Sequence, residues 1–153
     1  MAISVQEATF DCGALIAGLH ERAQGLGALA TFIGHVRDLG MTEGVEGLFL
    51  EHYPGMTEKA LAGIVETAGQ RWPLLGHAVV HRIGELARGE PIVFVGVATR
   101  HRQDAFDACA FIMDQLKTRA PFWKRERTAD DEHWVESRHS DALAAQRWER
   151  AQA

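Results

Sequence analysis

Three times along this chain, two strand-like segments follow one another across a gap of no more than seven residues: 28–37 and 45–53, 77–83 and 91–100, 122–127 and 133–136. A parallel pair needs a crossover of about a dozen residues, usually helical, so segments this close cannot form the sheet of a parallel α/β protein. Residues Ala28 to Arg37 show the period of two most clearly. Ala28, Ala30, Phe32, Gly34 and Val36 fall on one face, and Leu29, Thr31, Ile33, His35 and Arg37 on the other.

Helical patterns separate these strands. Asp11 stands where an N-cap would open a helix carrying Leu15, Ile16 and Leu19 on one side, with Gly25 and Gly27 ending it. Met56, Ala60, Ile64 and Ala68, widened by Leu61 and Val65, stripe a second helix between Pro54-Gly55 and Trp72-Pro73. A third helix, opening near Gln103 or Asp104, is expected to bury Phe106, Cys109, Ala110 and Met113. It carries Leu116 and Lys117 in its last turns and stops at Pro121. Residues 2–10 add a first short strand, 38–44 and 88–90 read as loop and turn, and Ser140 is placed to cap a terminal helix. The order βαββαββαββα predicts a mainly antiparallel α+β fold.

With 153 residues, 46% of them hydrophobic, the chain has apolar material for one core, so a single domain spanning 1–153 is expected. No low-complexity stretch, internal repeat or linker interrupts it. The first residues have neither the basic start nor the apolar run of a secretory signal. No segment approaches the roughly 20 apolar residues of a membrane span, and a cytoplasmic protein is expected. Two cysteines, Cys12 and Cys109, make neither a disulfide framework nor a metal set, which suits a reduced compartment.

A net charge of −5 argues against a general nucleic-acid binder, so any cationic site must be local. Arg100, His101, Arg102, Lys117, Arg119, Lys124, Arg125 and Arg127 do crowd into one third of the chain. Clustering of this kind is ordinarily a solvated face; its placement is what suggests more. His101-Arg102 falls where a strand ends and a helix begins, so free backbone N–H groups and the helix dipole converge beside two cationic side chains, as in an anion site. Lys117 lies near the edge of the apolar stripe of that helix, where a lysine either snorkels outward or points into a cleft. Lys124 follows on the next strand after the Pro121 turn, at the same end of the domain, with Arg37 and Arg102 expected nearby. Two ammonium groups about 4 Å apart repel by roughly 4 kcal/mol in a surface-like dielectric, a cost that an anionic ligand relieves. The same field lowers a lysine pKa toward the range useful for proton transfer.

Metal binding is the competing use of eight histidines. His77 and His81 are four residues apart on a strand, about 13 Å, whereas zinc bonds are about 2 Å long, so the two cannot share an ion. His-Glu-x-x-His, the P-loop and Gly-x-Ser-x-Gly are absent, which leaves zinc protease, nucleoside-triphosphatase and serine-hydrolase readings without support. No metal or cofactor is expected, and His52 and His81-Arg82 are read as structural hydrogen-bonding residues.

A set of segments in fixed order carries a resemblance. They are Phe32-Ile33-Gly34-His35-Val36-Arg37, Leu50-Glu51-His52-Tyr53-Pro54-Gly55-Met56, His81-Arg82-Ile83-Gly84-Glu85-Leu86, His101-Arg102 followed by Ala105-Phe106, Lys117, Pro121-Phe122-Trp123-Lys124-Arg125-Glu126, and Trp134-Val135-Glu136. Together, from about Gly27 to Arg138, the chain resembles the large, catalytic subunit of molybdopterin synthase. The resemblance implies an α/β hammerhead-type fold, a central homodimer, and a small ubiquitin-like subunit at each far end, making a heterotetramer. It further implies transfer of two sulfurs, from the thiocarboxylated Gly-Gly tail of the small subunit to cyclic pyranopterin monophosphate, to form the dithiolene of molybdopterin. By motif matching Lys117 and Lys124 become the catalytic pair. His35, Val36, Arg37, His101, Arg102, Lys124, Arg125 and Glu126 line the substrate site, and Arg138 reaches it across the dimer. The sulfur would arrive on another protein, so no reactive cysteine is required and Cys109 can simply pack. Arg100 departs from the pattern, which has a small or uncharged residue before the histidine. Two rival readings use the same residues: a noncatalytic module holding a phosphorylated metabolite, and a Schiff-base enzyme built on Lys117.

Overall fold

The computed structural model describes residues 3–37, 47–127, 132–135 and 139–150, with side chains described for 3–37, 47–125 and 141–149. The chain runs β1 (Ile3–Gln6), α1 (Cys12–Arg22), β2 (Ala28–His35), β3 (Gly47–His52), α2 (Met56–Arg71), β4 (Gly76–Arg82), β5 (Gly84–Ala87), β6 (Pro91–Thr99), α3 (Arg102–Arg119), β7 (Phe122–Arg127), β8 (Glu132–Val135) and α4 (His139–Arg150). The fold is mixed α+β. Two four-stranded sheets, ordered β1-β4-β6-β2 and β5-β3-β7-β8, are antiparallel throughout except for the β1–β4 pair.

Several expectations need correction. The close-spaced segments 77–83 and 91–100 do pair, as do 122–127 and 132–135, but β2 and β3 lie in different sheets. Strand β5 was not anticipated: Gly84–Ala87 is only four residues long, and its partner β3 lies more than thirty residues away in sequence. Gly84, at φ +83°, makes the switch from the first sheet to the second, a conformation that a side chain would strain. The expected loop over 38–44 lies outside the described residues. Ser140 falls inside the first turn of α4 rather than before it.

The first sheet is covered on both faces. Helices α2 and α3 bury Leu61, Ile64, Val65, Ala108, Phe111 and Ile112 against Val79, Val93, Val95 and Val97, while α1 lays Leu19, Leu15 and Ile16 on the other face over Ala78, Val80 and Phe94. Each of the larger side chains contributes roughly 1.5–3 kcal/mol by leaving water. Asp11 caps α1 by accepting from the Ala14 N–H at 3.0 Å, as its position predicted. Helices α2 and α3 bury most of their expected stripes, Leu61, Ile64, Val65 and Ala68 in one and Cys109, Met113 and Leu116 in the other, but each departs from it near its start. Met56 is 51% exposed and Thr57 takes the buried place beside it. Phe106 is 63% exposed and Phe111 is buried in its stead. The apolar run in α3 is nearly continuous, so its sequence fits more than one facing. Helix α4 is held at its far end by Trp148, which packs edge-on against Trp72 and Phe111 and donates from Nε1 to Asp114 at 2.7 Å.

Candidate active site

Helix α3 ends with Lys117 and Arg119, the chain turns at Ala120-Pro121, and β7 brings Lys124 back after four more residues. Both lysines are half-buried. In β7 Lys124 stands opposite Leu50 of β3, and Phe122 opposite His52, so Lys124, Phe122 and His52 share the inner face of the second sheet. Arg125 points the other way, over the ring of Phe49 at 4.8 Å. Among the motif residues Lys124 and Arg125 therefore serve opposite faces.

Close to both lysines lies His81, on the α3-facing side of β4 and only 4% exposed. Its ring stacks on Phe122 with centroids 3.8 Å apart and planes 18° from parallel. Its Nδ1 is 2.8 Å from the Arg82 carbonyl oxygen, which can only accept, so Nδ1 carries the proton and Nε2 keeps its lone pair. Burial pushes the pKa of His81 down to about 3, and the charges of Lys117, Lys124 and neighbouring His52 push in the same direction against that hydrogen bond. Both ammonium groups thus act on one neutral, desolvated ring. Thr57, wholly buried in the first turn of α2, accepts from the Tyr53 N–H at 2.9 Å and donates to the Pro121 carbonyl at 3.0 Å, fastening the turn between the lysines.

The β2–β6 ladder places the other expected site residues. Gly34 pairs with Val93, next to the position where Val93 meets His81, so His35 and Arg37 emerge at the lysine end of the first sheet and are exposed there. A register shift follows Gly34, and Val36 turns inward. It is 3% exposed, and its N–H and carbonyl are bonded to Glu90 and Gly89. At the opposite end Ala28 pairs with Thr99, seven steps or roughly 24 Å along β2 from His35. There His101 is the N-cap of α3 and Arg102 its first residue, both exposed. Thr99 Oγ1 donates to the His101 carbonyl at 2.7 Å, and Gly27 lies so close that a Cβ would overlap the Arg100 carbonyl oxygen. Arg102 and Lys117 are fifteen residues apart on one helix, about 22 Å. The expectation that Arg37 and Arg102 meet within the chain is not met: the fold brings Arg37 toward Lys117 and Lys124 and sends His101 and Arg102 to the other end. The Glu126 side chain and Arg138 lie outside the described residues.

Cys109 is buried in α3 against β6, and burial pushes its thiol up to about 11, away from the reactive thiolate. Among the described residues no group of three or more His, Cys, Asp or Glu side chains could hold a metal ion, and no helix is long and apolar enough to cross a membrane. Sequence reasoning found the lysines but missed Thr57, whose only signal was a threonine at the start of a helix. It read His81 correctly as a hydrogen-bonding residue without seeing that both lysines act on its ring.

Such a molecule is a mixed α+β protein with two half-buried lysines close to one buried, neutral histidine. Comparison with known proteins gives the particular family. Residues 5–119 match the family model described as MoaE protein. The molybdopterin synthase catalytic subunit of Pseudomonas aeruginosa is 62% identical over 149 residues, 97% of this chain and 99% of that one. Among solved structures, the MoaE protein of Burkholderia ambifaria superposes with a TM-score of 0.83 at 51% identity, covering 97% of this chain and 98% of its own. Molybdopterin synthase from Staphylococcus aureus gives 0.77 at 31% identity, covering 86% and 95%. The chain belongs to the MoaE family, that of the molybdopterin synthase catalytic subunits. The noncatalytic module is thereby set aside.

Proposed function

We propose that this chain transfers sulfur from the thiocarboxylated C-terminal tail of a small ubiquitin-like subunit to cyclic pyranopterin monophosphate, with Lys117 and Lys124 as its catalytic pair. The observation that carries this reading is the convergence of two half-buried ammonium groups on the single buried, neutral ring of His81. A thiocarboxylate and a phosphorylated pterin are both anions, and each relieves the repulsion between the lysines. Lys117, at the end of the helix, is placed to hold or move a proton at the reacting centre, and Lys124 to hold the anion from the facing strand. Arg37, at the same end, adds a third positive charge.

His101 and Arg102 enter this site from a second copy of the chain. Two observations support that assignment: the roughly 22 Å between Arg102 and Lys117 along a rigid helix, and the open helix N-terminus with its backbone donors. A symmetric dimer repeats each end twice and completes two sites. Arg138 belongs to the same trans contribution, and one small subunit at each far end makes the heterotetramer. A protein donor suits a chain whose α3 thiol, Cys109, is pushed up to about 11 by burial and so is no reactive thiolate. The cytoplasm, where thiols stay reduced, is the proposed location.

Reconstitution tests the reading. The purified chain with thiocarboxylated small subunit and pterin precursor should form molybdopterin, and removal of the two terminal glycines from the donor should abolish transfer while the globular surfaces still dock. Equal rates from inorganic sulfide with and without the small subunit would refute the protein donor.

A further inference from the structure

The turn between the two lysines is fastened at two adjacent residues by two different elements. Thr57 of α2 bonds the Pro121 carbonyl at 3.0 Å, and His81 of β4 stacks under the Phe122 ring at 3.8 Å. Each fastener is itself fixed. The Thr57 hydroxyl receives the Tyr53 N–H at 2.9 Å, so its donor and one acceptor position are both used. The His81 ring is locked by the Arg82 carbonyl at 2.8 Å. Thr57 is 0% and His81 4% exposed, so neither can touch a pterin or a docked protein. A valine would fill the volume of Thr57 equally well, and a buried hydroxyl is costly unless its hydrogen bonds are made. Packing alone therefore gives no reason for a threonine here, whereas a carbonyl that must be held does.

We propose that Thr57 and His81 are positioning residues for the reaction: they clamp the Pro121-Phe122 turn and so set the separation and direction of Lys117 and Lys124. This rests on the assignment of those lysines above. Lys117 precedes the turn on α3, and the strand that carries Lys124 begins at the clamped turn. Release of the clamp lets the pair relax away from the geometry that the transferring sulfur requires. Misplacement of a catalytic group by about 1 Å costs on the order of a hundredfold in rate.

The experiment uses the full chain, the thiocarboxylated small subunit and the pterin precursor, and compares Thr57→Val, Thr57→Ser and Lys117→Ala. Thr57→Val, which removes the hydroxyl at constant volume, should lower kcat by roughly tenfold to a hundredfold while small-subunit affinity stays within about twofold. Thr57→Ser, which restores the hydroxyl, should recover most of kcat. A merely structural role would lower Tm in proportion to the lost packing and leave kcat of the folded protein intact. Wild-type kcat in Thr57→Val, alongside an inactive Lys117→Ala, would overturn the clamp and spare the lysines. Full activity in Lys117→Ala would overturn the lysine assignment itself. Should Thr57→Val not fold, His81→Gln releases the other anchor, with the same loss of kcat expected and the same overturning result.

Discussion

The two ends of the first sheet carry the same kind of charge in opposite settings. At one end Lys117 and Lys124 are half-buried around a neutral histidine, held by a threonine and a stacked phenylalanine. At the other, Arg100, His101 and Arg102 stand exposed at the mouth of a helix. Exposed cations are strongly screened, and a surface ion pair is worth only about 0–1 kcal/mol. Half-buried ones are screened less. On the proposed reading the lysine end does its chemistry within one chain, whereas the arginine end gains a comparable grip only when another surface covers it.

The sharpest way to break this contrast is to remove a lysine. Lys117→Ala should fold and bind the small subunit but lose turnover by at least about a hundredfold, the usual contribution of a positioned proton-transfer group. Lys124→Ala should do the same with an added loss of precursor affinity. Near-normal molybdopterin formation by Lys117→Ala would reduce the lysine end to a binding surface.

Arg102→Ala addresses the other end. A charge-assisted hydrogen bond to phosphate contributes roughly 1.5–3 kcal/mol, so precursor affinity measured by calorimetry should fall about tenfold to a hundredfold. Mixing then locates the arginine. Lys117→Ala and Arg102→Ala chains, exchanged into random dimers and assayed at a precursor concentration too low for Arg102→Ala alone to turn over, should regain about a quarter of wild-type activity if each site takes its lysine from one chain and its arginine from the other. No recovery would mean that the arginine acts within its own chain.

The smallest effect sharpens the account of His81. Its folded-state pKa, about 3, lies below the ordinary 6.5, so as the pH falls the unfolded chain takes up the proton first. The stability due to the neutral ring is thus complete above pH 6.5 and is lost progressively from there toward pH 3. The slope is at most about 1.4 kcal/mol per pH unit. His77, lowered by burial and then by Arg22, adds to the loss in the same direction. Replacing the ring by His81→Phe should flatten the fall in unfolding free energy between neutral pH and about pH 4.5 by roughly 2–3 kcal/mol. Equal acid slopes, measured by denaturant titration, would show that the ring is not held neutral in the fold.

Local signals were legible where one residue decides one thing. Asp11 caps α1, Gly25 and Gly27 follow its end, Pro121 stops α3, and the alternation in β2 holds for Ala28 and Ala30 on one face and Leu29 and Ile33 on the other, while Thr31 and Phe32 are exposed. Where several residues compete for one place, sequence alone misplaced them. Phe106 and Phe111 are both aromatic on one helix, and only the sheet beneath α3 decides which is buried. Met56 and Thr57 differ by a third of a turn, and the apolar one is the one exposed.

Local periodicity, caps and breakers carry the order of all but one element and the mainly antiparallel character of the sheets, and motif order along the chain carries the candidate lysines. Only the tertiary structure decided that β2 and β3 part into different sheets, that Arg102 and Lys117 lie about 22 Å apart, and that Thr57 and His81 close on the turn between the lysines. The reason is physical: those facts depend on pairings between residues tens of positions apart, and such pairings are fixed by which surfaces bury one another rather than by any pattern within a single segment.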